Sequence, residues 1–374
     1  MKSEIRIFLR IFVLFILLSL KFHNVSLSQE SIEISYNYGS VLVHTPKIEP
    51  ISSNPVIGFS LFYTFKNSYG EQWKRYFNYP NYGVSYSYKN YHYPDVLGAS
   101  HSFSSFLQIP FLRNREYFDI GIKGLAGAAY FTKKYDPETN PLNNAISTRI
   151  NITAELRLYS RLRFDPLYFE YSYGLSHASN GLVKSPNLGI NVLNSNFNLG
   201  VELEGQLKRE ELPTDENPEF IRNEFWAFAS VGVKEIEYVS DKYIFSGISL
   251  NYSKQVWAIN KMGLGVDFSR DPSLTTFAVY RYGYSGDRDL SFRAGINIHN
   301  EFMMGRTGLY TAYGIYLGSD EFYSSKKYYK AGFKFYFENM FGLVLIRAIP
   351  LFRAQALEFG MGFRITDKKQ RDNR

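Results

Sequence analysis

The sequence predicts an all-β protein, an antiparallel transmembrane β-barrel, and three observations carry that reading. Apolar and polar residues alternate with period 2 from end to end, aromatic residues crowd the segment ends, and beyond the N-terminus no apolar run is long enough to cross a membrane as a helix. The 374 residues include 31 Tyr, 32 Phe and 3 Trp, so that 18% are aromatic, while 21% are charged. Such a chain has ample apolar surface to bury, which excludes disorder. The absence of cysteine excludes a disulfide scaffold, a zinc-thiolate or iron-sulfur site and a cysteine nucleophile. The net charge of +7 contains no basic block, so nucleic acid is not an expected partner.

The N-terminus is a processing signal. Lys2, Arg6 and Arg10 precede Ile11 to Leu20, apolar except for Ser19, and the small residues Ser26 and Ser28 follow. This pattern predicts a signal peptide over 1–28, because its apolar stretch is about half the ~20 residues that a spanning helix needs. The mature chain is therefore expected outside the cytoplasm, and with no cysteine near the cleavage point it is not a lipoprotein.

Strands follow almost everywhere. Ile150, Ile152, Ala154, Leu156 and Leu158 share one face, and Asn151, Thr153, Glu155 and Arg157 the other. Leu290, Phe292, Ala294, Ile296 and Ile298 repeat the pattern, as do Tyr329, Ala331, Phe333, Phe335 and Phe337, and finally Leu357, Phe359, Met361, Phe363 and Ile365. The segments are about 10 to 13 residues long, enough to cross at a tilt, and turns such as Tyr79-Pro80-Asn81 and Ser285-Gly286-Asp287 separate them. Eight centres precede Leu207, and six to eight follow, near 231, 250, 264, 279, 294, 311, 331 and 360. Merging of neighbours predicts about 14 strands, within a range of about 12 to 16, in one barrel over 29–366. Asp136 to Asn144 and Arg209 to Asn223 read as loops, and 367–374 as a charged tail. A soluble sandwich also alternates, but the spacing and the aromatic segment ends favour the membrane barrel. Its inward charges, Glu155, Arg157, Arg293, Lys330, Lys334, Glu358 and Arg364, suggest a lumen filled by ion pairs, although so wide a barrel also leaves room for an aqueous path.

One segment carries chemistry. Of six histidines, His23 lies in the signal peptide, and His44, His92, His101 and His299 have no obvious catalytic neighbour in sequence; a lone histidine of this kind reads as a girdle or lumen residue. His177 differs, because it opens His177-Ala178-Ser179-Asn180-Gly181. Residues i and i+2 of a strand point to the same side, so the imidazole and the Ser179 hydroxyl are neighbours, as activation of a serine by a base requires. Both continue the apolar parity of Leu167, Phe169, Tyr171, Tyr173 and Leu175, which places them on the lipid-facing wall. A polar pair is costly there, and an enzyme that attacks a membrane lipid from the side supplies a reason for it. The bland alternative is a polar loop at a strand end, where Ser, Asn and Gly are ordinary residues.

The run from His177 to Asn191 resembles the lipid A 3-O-deacylases of the bacterial outer membrane, the PagL-like acyloxyacyl hydrolases, which carry His-x-Ser-Asn, then Pro-Asn-x-Gly, then a third catalytic residue. Here these are His177-Ala178-Ser179-Asn180, Pro186-Asn187-Leu188-Gly189 and position 191. The resemblance covers 29–207 in outline and implies an integral outer-membrane esterase acting on lipopolysaccharide without metal or cofactor. Ser179 is then the nucleophile, His177 the general base, Asn180 with Gly181 the oxyanion contributors, and Pro186, Asn187 and Gly189 the supporting turn. The family's glutamate is replaced by Asn191. Glu202 and Glu204 fall on the lumenal parity and cannot stand in for it, whereas Asn191 shares the parity of His177 and can orient the ring through its amide oxygen, without supplying a negative charge. Asn191 also resembles the asparagine of the outer-membrane phospholipases A, which stands twelve positions after the serine of a His-x-Ser-Asn-Gly motif, as it does here. Those enzymes place a calcium-holding arginine where this chain has Leu182, so calcium dependence is not expected. A phospholipase and a non-catalytic barrel or pore are the alternatives. Residues 208–366 carry strands without a chemical motif, leaving open an enlarged barrel, a separate one or a partner such as a second copy in a homodimer.

Overall fold

The computed structural model describes residues 30–65, 72–114, 117–203, 221–236, 239–318, 325–350 and 353–368. The predicted signal peptide, most of the loop at 209–223 and the end of the charged tail lie outside these residues. Among these described residues, sixteen strands form two closed antiparallel barrels of eight. In the first, β1 (Ser31–Val41), β2 (Pro55–Thr64), β3 (Asn81–Asn90), β4 (Ala99–Asn114), β5 (Phe118–Phe131), β6 (Ile150–Phe164), β7 (Leu167–Ser179) and β8 (Ile190–Glu202) pair in chain order. The barrel closes where β8 returns to β1, with Val192 opposite Val41 and Glu202 opposite Ser31. The second runs from β9 (Ile221–Ile236), β10 (Val239–Trp257), β11 (Asn260–Arg270) and β12 (Phe292–Met304) to β13 (Thr307–Tyr316), β14 (Lys327–Phe337), β15 (Met340–Ile349) and β16 (Arg353–Lys368), and closes between β16 and β9.

A single barrel of about 14 strands is thus corrected to two of eight. Alternation identifies a strand from its neighbours in sequence, but barrel closure depends on which distant strands pair, and that is set by register rather than by period. Two elements also differ. The segment near 279 is an α-helix, α2 (Ser273–Tyr282), ended by Gly283 in a left-handed conformation; a shorter helix, α1 (Gln72–Tyr76), precedes β3. β15 was not expected, because Met340 to Ile349 includes an apolar run, Leu343 to Ile346, that hides its period. Because each sheet closes on itself, neither barrel among the described residues requires a strand from a second copy.

Each barrel turns its apolar parity outward. Leu156, Leu158, Phe169 and Leu199 in the first barrel and Ile248, Leu264, Ile298 and Phe363 in the second are exposed, as a wall facing lipid requires. No helix among the described residues is long and apolar enough to cross a membrane. The lumens are filled by side chains. In the first, Lys123 reaches Glu170 (2.6 Å) and Glu33 (3.1 Å), Arg161 reaches the same two carboxylates, and Arg157 pairs with Glu155 (2.7 Å). In the second, Lys334 meets Glu301 (2.9 Å), Arg347 meets Glu358 (2.6 Å) and Lys330 meets Asp267. An eight-stranded barrel leaves an interior just wide enough for side chains to fill, so the aqueous path envisaged for a wider barrel does not apply.

Candidate active site

Antiparallel register assembles the site at one end of the first barrel. On β7 and β8, His177 lies directly opposite Asn191, and cross-strand partners project to the same face. The His177 ring lies between two partners, with Nδ1 2.7 Å from Asn191 Oδ1 and Nε2 2.9 Å from Ser179 Oγ. An amide oxygen only accepts, so Nδ1 carries the ring proton and Nε2 presents its lone pair to the serine hydroxyl. That is the protonation state in which an imidazole can take a proton from serine. Ser179 is 8% exposed, so the hydroxyl is shielded by its surroundings.

The turn beyond β7 is held by its backbone. Gly181 and Leu182 both adopt positive φ, and Gly189 does so again before β8. Asn187 Oδ1 accepts the Asn180 N–H (3.2 Å), which ties the two limbs together, and half-buried Pro186 lies on the returning limb. Leu188 and Gly189 donate their N–H groups to the carbonyls of Asn144 and Ala145, both at 3.1 Å. The expected loop at 136–144 is therefore part of the support. Its own fold begins at Asp136, whose carboxylate accepts the N–H groups of Thr139 (3.0 Å) and Glu138 (3.1 Å); these hold its pKa below the ordinary carboxylate range. Ala145 and Ile146 are fully buried in an apolar cluster with Phe131, Ala178, Ile190 and Val192, which anchors the turn beneath the site.

Two placements go beyond expectation. Asn180 directs its Nδ2 to Ser147 Oγ (2.8 Å), so its amide also braces the turn against the 133–149 loop. His44, read from sequence as a girdle or lumen residue, stands beside the site, with Nδ1 3.2 Å from Asn191 Nδ2. No local signal could have found it, since 147 positions separate the two residues and only the β1–β8 closure brings them together. The remaining assignments keep their places. Glu202 is lumenal, bound to Arg163 (3.3 Å), and Glu204 lies outside the described residues. His101 meets the Tyr86 hydroxyl (2.9 Å) and His92 meets the Pro55 carbonyl (2.9 Å). His299 approaches Ser253 Oγ (2.8 Å), but both are buried in the filled lumen of the second barrel, where an ester has no way in. Among the described residues no cluster of three or more His, Asp or Glu side chains is disposed to hold a metal ion.

Closed barrels with apolar outer walls belong to the class of integral β-barrel membrane proteins. Residues 57–200 match the family model described as lipid A 3-O-deacylase (PagL), and residues 223–368 match that described as acyloxyacyl hydrolase, C-terminal domain. The chain belongs to this PagL-type family, and is a carboxylic ester hydrolase of the bacterial outer membrane. No curated protein matches it. Among solved structures it is similar to the outer membrane enzyme PagL, with 16% identity, 44% of this chain and 97% of that chain covered, and a TM-score of 0.31. It is also similar to the Acinetobacter baumannii outer membrane protein Omp33, with 8% identity, 90% and 98% covered, and a TM-score of 0.18. CdiB from Acinetobacter baumannii follows, with 9% identity, 91% and 61% covered, and a TM-score of 0.18. Likenesses this distant add nothing to the description of the site.

Proposed function

We propose that the protein removes an ester-linked acyl chain from lipid A of lipopolysaccharide by a serine mechanism at Ser179, without a metal or other cofactor. The observation that carries this reading is the hydrogen-bonded line from Ser179 Oγ through the His177 ring to Asn191 Oδ1, at 2.9 and 2.7 Å. The site lies on the outward parity of β7, above exposed Leu175, Tyr173 and Tyr171, so an acyl chain in the surrounding lipid lies along the wall that leads to the serine.

Ser179 Oγ attacks the acyl carbonyl as His177 Nε2 takes the hydroxyl proton. The tetrahedral oxyanion is met by the backbone N–H of Gly181, since that of Asn180 is held by Asn187 Oδ1. Collapse breaks the ester C–O bond, and the departing sugar alkoxide takes the proton from the imidazolium. A water molecule, deprotonated by the same nitrogen, then attacks the acyl-serine; the fatty acid leaves and Ser179 Oγ recovers its proton. Asn191 keeps the proton on Nδ1 throughout but adds no negative charge to steady the imidazolium, so the reaction depends on alignment more than it would with a carboxylate in that position.

The test is mass spectrometry of lipid A and of glycerophospholipid after incubation with refolded protein, comparing wild type with Ser179→Ala, each with and without chelator. Loss of a hydroxyacyl chain from lipid A with wild type alone, unaffected by chelator, is the expected result. Cleavage of glycerophospholipid instead would make the protein a phospholipase, the reading favoured by the position of Asn191, and equal activity of the two proteins would remove Ser179 from the mechanism.

A further inference from the structure

His44 makes three contacts that together determine its state. Nε2 lies 3.1 Å from the Leu188 carbonyl, while Nδ1 lies 3.2 Å from both the Leu42 carbonyl and Asn191 Nδ2. A neutral ring has one proton. On Nδ1 it would satisfy the Leu42 carbonyl alone, leaving lone pairs facing each other at the Leu188 carbonyl and two donors facing each other at Asn191. On Nε2 it serves Leu188 and leaves Nδ1 to accept from Asn191 Nδ2–H, at the expense only of the Leu42 contact. The polar groups then run in one direction: Ser179 O–H to His177 Nε2, His177 Nδ1–H to Asn191 Oδ1, Asn191 Nδ2–H to His44 Nδ1, and His44 Nε2–H to the Leu188 carbonyl. The backbone holds both ends of this line, because Leu42 N–H donates to the Asn191 carbonyl at 2.9 Å and continues the β1–β8 ladder to the point from which His44 turns over the asparagine.

An asparagine in this position has a weakness that a carboxylate lacks. Its two ends are nearly equal in shape and opposite in polarity, so rotation of the amide by half a turn would aim Nδ2 at His177. The ring would then have to shift its proton to Nε2, and Nε2 could no longer accept from Ser179. We propose that His44 is a positioning residue of the esterase site, whose Nδ1 lone pair holds the Asn191 amide with its oxygen toward His177. The proposal rests on the serine reading given above. It assigns His44 no contact with substrate; its effect passes through Asn191 and the tautomer of His177.

The experiment is a double-mutant cycle on full-length protein in detergent micelles, with lipid A as substrate and a heat-modifiability gel as the check that the barrel has formed. His44→Phe keeps a ring but removes the acceptor, and is expected to lower kcat about tenfold to hundredfold with KM little changed. His44→Gln, whose amide oxygen can accept from Asn191, is expected to recover most of that loss. In the Asn191→Asp background the orientation problem disappears, because either carboxylate oxygen accepts from His177, so His44→Phe should there cost less than about threefold. Equal loss in both backgrounds would mean that His44 merely braces the turn through Leu188, and would overturn the proposal. If Asn191→Asp proves inactive, ¹⁵N spectra of the imidazoles decide: His177 should hold one tautomer in wild type and a mixture in His44→Phe, and an unchanged tautomer would overturn the proposal as well. Ser179→Ala in parallel separates the two readings. Full activity of that variant ends the serine mechanism itself, whereas loss there with wild-type behaviour of His44→Phe ends only the role of His44.

Discussion

Gly189 lies against the His177 ring so closely that a methyl group on its α-carbon would stand 2.6 Å from His177 Cε1. The same atom would meet Ala178 O at 3.2 Å and Ser179 Cβ at 3.3 Å, and the backbone there has φ of +70°. Gly189→Ala should therefore leave the barrel folded while displacing the imidazole. The left-handed backbone alone costs about 1 to 2 kcal/mol for an L residue, and a ring shift approaching 1 Å costs about a hundredfold in rate. Ester hydrolysis measured beside the heat-modifiability of the same preparation checks this; near-normal kcat would show that the ring can give way without consequence.

What could be read from sequence divides along the range of the interactions. The Ser179–His177 pair and the shared parity of Asn191 were legible because a strand places i and i+2 on one side, and residues 177, 179 and 191 lie within one hairpin. His44 and Ser147 were not, because each reaches the site by tertiary closure, one over the β1–β8 seam and the other from the 133–149 loop. The fold follows the same division. Period 2 disclosed strands as far as β16, yet whether they close one ring or two depends on pairs such as Val41 with Val192, which leave no mark on local pattern. The helix Ser273–Tyr282 reads as a strand in sequence because its Phe, Val and Tyr residues are strand formers by propensity, which the fold here overrides.

Glu170 is the acceptor on which the lumen of the first barrel converges. It takes hydrogen bonds from Lys123 (2.6 Å), Arg161 (2.7 and 3.0 Å), Gln108 (2.9 Å) and Asn198 (2.9 Å), and none of its surface is exposed. Glu170→Ala would leave two buried cations to share Glu33 alone. Removing one partner of a buried ionic network costs about 3 to 5 kcal/mol, so the urea midpoint of the first barrel should fall sharply, monitored by circular dichroism in detergent. A shift within error would show that water enters the lumen and solvates the orphaned charges.

Filled lumens also predict electrical silence. Lys334 sits over the Trp226 ring at 3.4 Å and pairs with Glu301, while Tyr310, Tyr336 and Phe341 pack around them. Eight strands enclose no more space than such side chains occupy. Full-length protein inserted in a planar lipid bilayer should give no stable open-channel steps at moderate voltage. Reproducible steps of defined conductance would restore the pore reading and require that these side chains move aside.

The Asn180 amide provides the sharpest contrast between two roles. If its side chain faced the reacting carbonyl, Asn180→Ala would lower kcat by an oxyanion contribution, about a hundredfold or more, and Ser147→Ala would be nearly silent. With Nδ2 committed to Ser147 Oγ at 2.8 Å and the backbone N–H held by Asn187, the amide acts by bracing the turn. Ser147→Ala should then reproduce most of the loss seen in Asn180→Ala, and the double variant should be little worse than either single one, since both remove the same hydrogen bond. Hydrolysis rates of the three variants, with folding checked by heat-modifiability, decide between the roles. An inert Ser147→Ala beside a crippled Asn180→Ala would mean that the asparagine turns toward the oxyanion once substrate is bound.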